Sequence, residues 1–278
     1  MEYIALGCMS GTSLDGIDCS LVKSDGVSYV TDISNEFIPY SDGLQLKLRN
    51  VILKGYLDDI KVINQLNQEY KDSINNFIKK NNLEIDLIAM HGQTVYHDQK
   101  TKISIQLFDK SIRFNTNSPV ICNFRKNDLL NGGNGAPIMP EFHRVLANQL
   151  DLKKVIFVNI GGVTNITVID NQKITAGDSS FGNAIVNDLI YEKTKERFDV
   201  DGSLSNNGQK IDVLFKRIIS DKYFLEKLPK SLDRNYFHKY IDNSIKDKKL
   251  NDLIYSLLEV IPFAINSLIS SQSDFKII

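Results

Sequence analysis

Cysteine is scarce and unpaired. The three present, Cys8, Cys19 and Cys122, form no CxxC pair and no even disulfide framework, a usage that suits a reducing compartment. A dominant charge is lacking too: 33 basic residues stand against 34 acidic ones, a net charge of -1 that provides no overall field for nucleic acid or an anionic membrane. Anionic ligands must therefore be held locally. Neither a leader nor a spanning segment is expected. MEYIALGCMS has an acidic second residue and too short an apolar run for a signal peptide, and the most apolar later segment carries Glu259 and Pro262. These absences predict a cytoplasmic protein with neither nucleic-acid nor membrane partners.

What is present is enough for two domains: 278 residues, 42% of them hydrophobic, can fill two cores. The stretch that organises the chain is CMSGTSLDGIDCSLV, residues 8 to 22. Gly11 and Gly16 bracket Thr12, Ser13 and Asp15, so the backbone can bend sharply and present bare N–H groups beside hydroxyls and a carboxylate. That is the chemistry of a phosphate cradle, and equally the composition of a plain glycine-rich hairpin turn. Alternation through Ile17, Cys19 and Leu21, the turn Ser24-Asp25-Gly26, and alternation from Val27 to Ile33 predict a hairpin.

Two helices are expected next, one over Leu44 to Leu57 and one carried by Ile60, Ile63, Leu66, Tyr70, Ile74 and Phe77. Ile85 to Met90 reads as a short buried strand that delivers His91-Gly92-Gln93-Thr94 at its C-terminal edge, where open α/β sheets bind ligands. A lone histidine there is more often structural, but Gly92 and the polar residues around it point to a site. Asn131 to Pro140, dense in glycine and proline, reads as a hinge or functional loop and places a domain boundary at 135/136.

Past that boundary the opening pattern repeats. Val155 to Ile160, the turn Gly161-Gly162, Thr164 to Ile169, a second turn and Ile174 to Ala176 again make strand, glycine turn, strand, turn, strand. Two such units could hold the two ends of a polyphosphate. Asp178 follows the third strand, before an amphipathic helix carried by Ile185, Leu189 and Ile190. There the helix dipole would keep a carboxylate ionised as a general base, although capping the helix is the usual task of an aspartate in that place. After the basic turn Pro229 to Arg234 comes a long apolar helix from Leu250 to Leu268, kinked at Pro262, and then Phe275 to Ile278, which resembles the start of a strand.

MSGTSLDGID (9 to 18), HGQTVYH (91 to 97), NFRKNDLLNGGNGAPIMPEFH (123 to 143), NIGGVTNIT (159 to 167) and the Asp178 segment together closely resemble the anhydro-N-acetylmuramic acid kinase family. The resemblance implies an α/β fold of two ribonuclease-H-like domains, residues 1–135 and 136–278, in the superfamily of sugar kinases, heat-shock ATPases and actin. It implies ATP-dependent phosphorylation of O6 of 1,6-anhydro-N-acetylmuramic acid while water opens the anhydro ring at C1, giving N-acetylmuramic acid 6-phosphate and ADP in cell-wall recycling. Asp178 matches the family's catalytic base. Gly11, Thr12, Ser13, Leu14, Asp15, Gly16, Ile17 and Asp18 match its ATP-phosphate loop, with Gly161 and Gly162 as the counterpart in the second domain. Thr94 and Arg125 match sugar-contacting positions, a guanidinium suiting the lactyl carboxylate, and His91 and Gln93 fall beside them as supports of the cleft. Mg²⁺ is expected on the phosphates, organised by Asp15 through water. A homodimer is expected as well.

The chain departs from the family pattern at Ser179-Ser180-Phe181, where Thr-Gly-Pro is usual, and at Asp233, where glycine is usual. Family members continue for roughly another third of this length, with a glycine-rich loop for adenosine and a later glutamate near the sugar. Two further readings therefore accompany the main one: a truncated relic that binds sugar or a partner without turnover, and a kinase of an ordinary hydroxyl.

Overall fold

Alternation along the first strand, β1 (Tyr3–Ser10), turns Leu6, Cys8 and Ser10 inward, and β2 (Gly16–Ser24) answers with Ile17, Cys19 and Leu21. The two pair antiparallel with Cys8 opposite Cys19. Both thiols are free and buried, and the contact with Cys19 together with desolvation raises the pKa of Cys8. The computed structural model describes residues 1–11, 13–54, 59–98, 101–245, 247–269 and 274–278; Thr12 of the glycine loop and Leu57 of the first predicted helix lie outside them.

The third strand, β3 (Val30–Pro39), starts three residues later than the alternation suggests. Asp25 is the reason: its carboxylate accepts the backbone N–H groups of Val27, Ser28 and Tyr29, which closes a loop before the ladder can begin. α1 (Asp42–Lys54) and α2 (Ile60–Asn81) follow. Asp59 caps α2 by accepting from Lys61 and Val62, and Leu66, Tyr70, Ile74 and Phe77 pack its inner stripe into the core behind the sheet.

β4 (Leu87–Asp98) runs parallel to β1, and β5 (Ile103–Leu107) and β6 (Val120–Ile121) both pair with it. The sheet order is β3-β2-β1-β4-β5. Then come α3 (Phe124–Leu130) and α4 (Pro140–Gln149). The side-chain amide of Gln149 bonds both the N–H and the carbonyl of Val30, at 3.0 and 3.1 Å, so α4 is fastened to the edge strand. The first compact unit accordingly runs from Met1 to Asp151, and the boundary falls at 151/152 rather than 135/136.

The second unit, Leu152–Ile278, is built on β7 (Lys154–Ile160), β8 (Val163–Asp170) and β9 (Lys173–Phe181), an antiparallel meander. β10 (Lys276–Ile277) lies parallel to β7, giving the order β10-β7-β8-β9. Position by position this matches β4-β1-β2-β3, so the repeat seen in the sequence is a repeat of topology. α5 (Asn183–Thr194), α6 (Asp212–Ile219), α7 (Leu250–Leu258) and α8 (Val260–Ile269) cover this sheet. The helix break falls at Glu259, not at Pro262 itself. The missing N–H of Pro262 would have bonded the Leu258 carbonyl, so the ladder fails one turn upstream of the ring. Leu250–Ile269 is apolar enough by composition to cross a membrane, with mean hydropathy 1.5. Ile254, Leu257, Val260 and Ala264 are nevertheless all fully buried in the unit's own core, which is the pattern of a core helix.

Candidate active site

In the first unit the bend between β1 and β2 is made differently from the glycine-centred turn expected. Among the described residues of the bend the one in the left-handed region is Leu14, at φ 61°, with its side chain 1% exposed and its N–H reaching the Gly11 carbonyl at 3.4 Å. Burial of leucine holds the strained backbone. Gly16 serves close packing instead: a Cβ there would lie 2.3 Å from the Ile38 carbonyl. The N–H of Tyr40 bonds the Asp15 carbonyl at 2.9 Å and draws the end of β3 against the loop. Ile17 is a core residue. Ser13 donates to the Asp15 carboxylate at 2.6 Å, and the pKa of Asp18 is raised by desolvation and by the charge of Asp15.

His91 to Thr94 lie within β4 and not at its edge. The strand is twelve residues long because it changes partners there. Gln93 faces Ser10 of β1 across an irregular register and also Leu107 of β5. Gly92 makes the change passable: its φ is +77°, and a Cβ would meet the Leu107 carbonyl at 2.9 Å. His91 is buried, with Nδ1 2.6 Å from the Gly92 carbonyl, while Arg125 Nε donates to His91 Nε2 at 2.9 Å. Only a neutral imidazole protonated on Nδ1 satisfies both contacts. Burial and the Arg125 charge accordingly lower the His91 pKa to about 4.

Arg125 stands in the first turn of α3 and also donates to the Gly135 carbonyl at 2.7 Å. Gly135, at φ +67°, is held in turn by Asp128, whose carboxylate accepts its N–H at 2.7 Å. The glycine-rich segment is therefore folded back on α3 within the first unit. Thr94 is half-buried and takes a long hydrogen bond, 3.4 Å, from Gln106. Gln93 is fully buried and donates to the Gly11 carbonyl at 2.8 Å. Thus His91 and Gln93 use their polar atoms to hold Arg125 and the Gly11 bend.

In the second unit the Gly161-Gly162 turn serves α5. The Gly162 carbonyl accepts from Gly182 and Ala184 at 3.0 and 3.2 Å, and the Gly161 carbonyl from Asn183 at 2.8 Å. A Cβ on Gly182 would lie 2.2 Å from the Gly161 carbonyl, which is why glycine stands at the helix entry. Asp178 lies inside β9, before that entry, and the helix start has no side-chain cap. Asp178 is therefore not the cap of α5.

What holds Asp178 is the basic turn. Its N–H bonds the Lys230 carbonyl at 2.8 Å, its own carbonyl accepts the Tyr223 hydroxyl at 2.7 Å, and its Oδ2 accepts the Leu232 N–H at 2.8 Å. Gly177 permits this approach, since a Cβ would meet the Lys230 carbonyl at 2.6 Å. Lys230 is buried, with Nζ 4.0 Å from the centre of the Tyr223 ring. Desolvation lowers its pKa against the charges of Glu226 and Asp178, which favour the ammonium form. Arg234 closes the turn with a two-pronged bond to Asp188 of α5, at 2.8 and 3.0 Å. Tyr223 and Lys230 were not legible as partners of Asp178, because the turn that carries Lys230 is about fifty residues away along the chain.

Among the described residues no group of three or more His, Cys, Asp or Glu side chains could hold a metal by itself. Asp15 and Asp18, close enough for one charge to raise the other's pKa, suit an ion held mainly by phosphate oxygens and water.

A family profile described as anhydro-N-acetylmuramic acid kinase matches residues 2–274. A protein of that name from Pelagibacter ubique is 36% identical over 234 residues, 79% of this chain and 62% of its own length. Another from Bradyrhizobium diazoefficiens is 34% identical over 254 residues, 85% of this chain and 69% of its own. The chain thus spans about two thirds of the relatives it matches. Among solved structures, a ROK hexokinase from Thermus thermophilus covers 98% of this chain and 78% of its own at 9% identity, with a TM-score of 0.26, a likeness too slight to build on.

Proposed function

The chain belongs to the anhydro-N-acetylmuramic acid kinase family, and from that premise we propose that it phosphorylates O6 of 1,6-anhydro-N-acetylmuramic acid with ATP while water opens the anhydro ring. The products are N-acetylmuramic acid 6-phosphate and ADP. The observation that carries the reading is the convergence on one strand of stretches far apart in sequence. Gln93 is bonded to the Gly11 bend, and His91, two residues earlier, is bonded to Arg125, which in turn holds Gly135. Phosphate-binding and sugar-binding elements would thereby share a single rigid support. The matched meanders support placing the units among the ribonuclease-H-like domains of the sugar kinase, heat-shock ATPase and actin superfamily.

O6 begins as an ether oxygen without a proton, so the base must act on water and not on the acceptor. Asp178 takes the proton as water bonds to C1. The C1–O6 bond breaks, and O6 keeps that electron pair as it bonds to the γ-phosphorus while ADP departs. General-base help of this kind is worth about 10²–10⁴-fold, with positioning and charge neutralisation supplying the rest. The backbone N–H from Leu232 favours the ionised form of that carboxylate. Arg125, fixed by His91 and Gly135, would present its guanidinium to the lactyl carboxylate, with Thr94 beside it. Bound Mg²⁺ would neutralise the phosphates; Asp15 and Asp18 would hold it, in part through water. The unpaired cysteines support a reducing, cytoplasmic setting for this work, and the family resemblance supports a homodimer.

Incubation with ATP, Mg²⁺ and the anhydro sugar in ¹⁸O-water tests the reaction. Label at C1 with phosphate on O6 is the expected result. Phosphorylation without label would mean an ordinary hydroxyl kinase, and no product would mean a binding protein.

A further inference from the structure

A buried polar cluster lies directly behind the Gly11 bend, and the proposed chemistry does not use it. The Tyr40 hydroxyl is 2.9 Å from Ser10 Oγ, 3.2 Å from the Tyr70 hydroxyl and 3.2 Å from Gln93 Oε1, and the Tyr70 hydroxyl is 3.0 Å from Ser10 Oγ. All four side chains are buried, none more than 3% exposed. They come from β1, the residue that follows β3, α2 and β4.

Each hydroxyl has one proton, and that accounting orders the cluster. Gln93 Oε1 can only accept, and Tyr40 is the donor within reach, so Tyr40 gives its proton to Gln93. Tyr40 then accepts from Ser10, and Ser10 accepts from Tyr70. The relay runs Tyr70 to Ser10 to Tyr40 to Gln93, and Gln93 Nε2 passes it on to the Gly11 carbonyl at 2.8 Å. The same accounting fixes which way the Gln93 amide points.

Four desolvated polar side chains are a poor way to fill a core. Phenylalanine at 40 and 70 would bury as much area without the desolvation cost of two hydroxyls. What a fully satisfied network does provide is a single arrangement of its members, here ending on one backbone carbonyl.

We propose that Ser10, Tyr40, Tyr70 and Gln93 are positioning residues that fix the Gly11 bend for nucleotide phosphates, so that Gln93 serves the ATP side of the reaction and not the sugar side. The proposal rests on reading that bend as a phosphate loop. Burial raises the pKa of both tyrosines, so the hydroxyls remain neutral donors across the working pH range.

The test is calorimetric binding of ATP with Mg²⁺, and separately of the anhydro sugar, to the full chain and to variants graded along the relay. Gln93→Leu removes the last link and is expected to weaken ATP binding about tenfold. Tyr40→Phe leaves the Gln93 amide without its donor and is expected to weaken it about threefold to fivefold. Tyr70→Phe, at the far end, stays within about twofold, because Ser10 still donates to Tyr40. Sugar binding should stay within about twofold throughout. The tyrosine variants lose one oxygen each, so Tyr40→Phe decides the matter if Gln93→Leu fails to fold. Sugar and ATP affinity falling together, or ATP affinity unchanged in Tyr40→Phe, overturns the proposal. A wild-type chain that binds no ATP removes the phosphate-loop reading and the proposal with it.

Discussion

His91 shows what a single residue can reveal about a site. Unfolded, it takes up a proton near pH 6.5; folded, between the Gly92 carbonyl and Arg125, it does so only near 4. Between those values the unfolded chain binds more protons, so stability is complete above about 6.5 and falls as the pH falls. The loss should reach ~2 kcal/mol between pH ~7 and pH ~5. Urea unfolding at the two pH values checks this, and His91→Gln, which still offers Arg125 an acceptor, should flatten that dependence. An undiminished slope in His91→Gln would place the titration elsewhere. For Asp178 the corresponding substitution is Asp178→Asn, which keeps the oxygen that meets Leu232 and loses the base. Turnover should fall by about 10²-fold or more while sugar affinity is largely kept, and an enzyme of undiminished kcat would show that another group takes the proton. A neutral histidine that accepts from Arg125 could not be read from HGQTVYH, because its tautomer depends on a partner thirty-four residues away.

At the scale of elements, the glycines separate those that tolerate a methyl group from those that do not. Gly43 in α1 has nothing within 4 Å of the place a Cβ would occupy, so Gly43→Ala should stabilise by ~0.5–1 kcal/mol through helix propensity alone. Gly182 is the opposite case. A Cβ there meets the Gly161 carbonyl at 2.2 Å, and Gly182→Ala should cost ~1–3 kcal/mol by forcing α5 away from the β7–β8 turn. Thermal melting of both variants checks the pair, and equal melting points would contradict the packing described. Both meanders and the inner stripe of α2 were legible in the sequence, because period-two and period-three-and-four patterns record which face is buried. Three features were not. The Asp25 loop delays β3, the partner change inside β4 puts His91 to Thr94 mid-strand, and the α7–α8 break precedes its proline. Each is decided by where a backbone hydrogen bond goes, and apolar spacing carries no record of that.

For the whole molecule the two topological copies matter more than any one contact. One core gathers Leu6, Leu21, Leu66, Tyr70 and Ile88; another gathers Phe181, Ile185, Leu214, Leu253 and Leu257. Among the described residues none belongs to both, and the compact units divide between Asp151 and Leu152. The sequence placed that division sixteen residues too early, at a glycine-rich segment that reads as a linker by composition, because the bond of Gln149 to Val30 joins residues 119 apart and the fold-back of Gly135 on Asp128 leaves no trace in composition. The division predicts where damage spreads. Leu21→Ala and Leu257→Ala, both at fully buried positions, should each cost ~2–5 kcal/mol. Hydrogen exchange should show the first loss in β1, β2 and β4 and the second in α5, α7 and β9, each leaving amides of the other unit at wild-type protection. If Leu257→Ala lowered the protection of β1 and β2 as much as that of α7, the two cores would be a single cooperative structure, and a nucleotide loop built on one unit could not be altered apart from the base carried by the other.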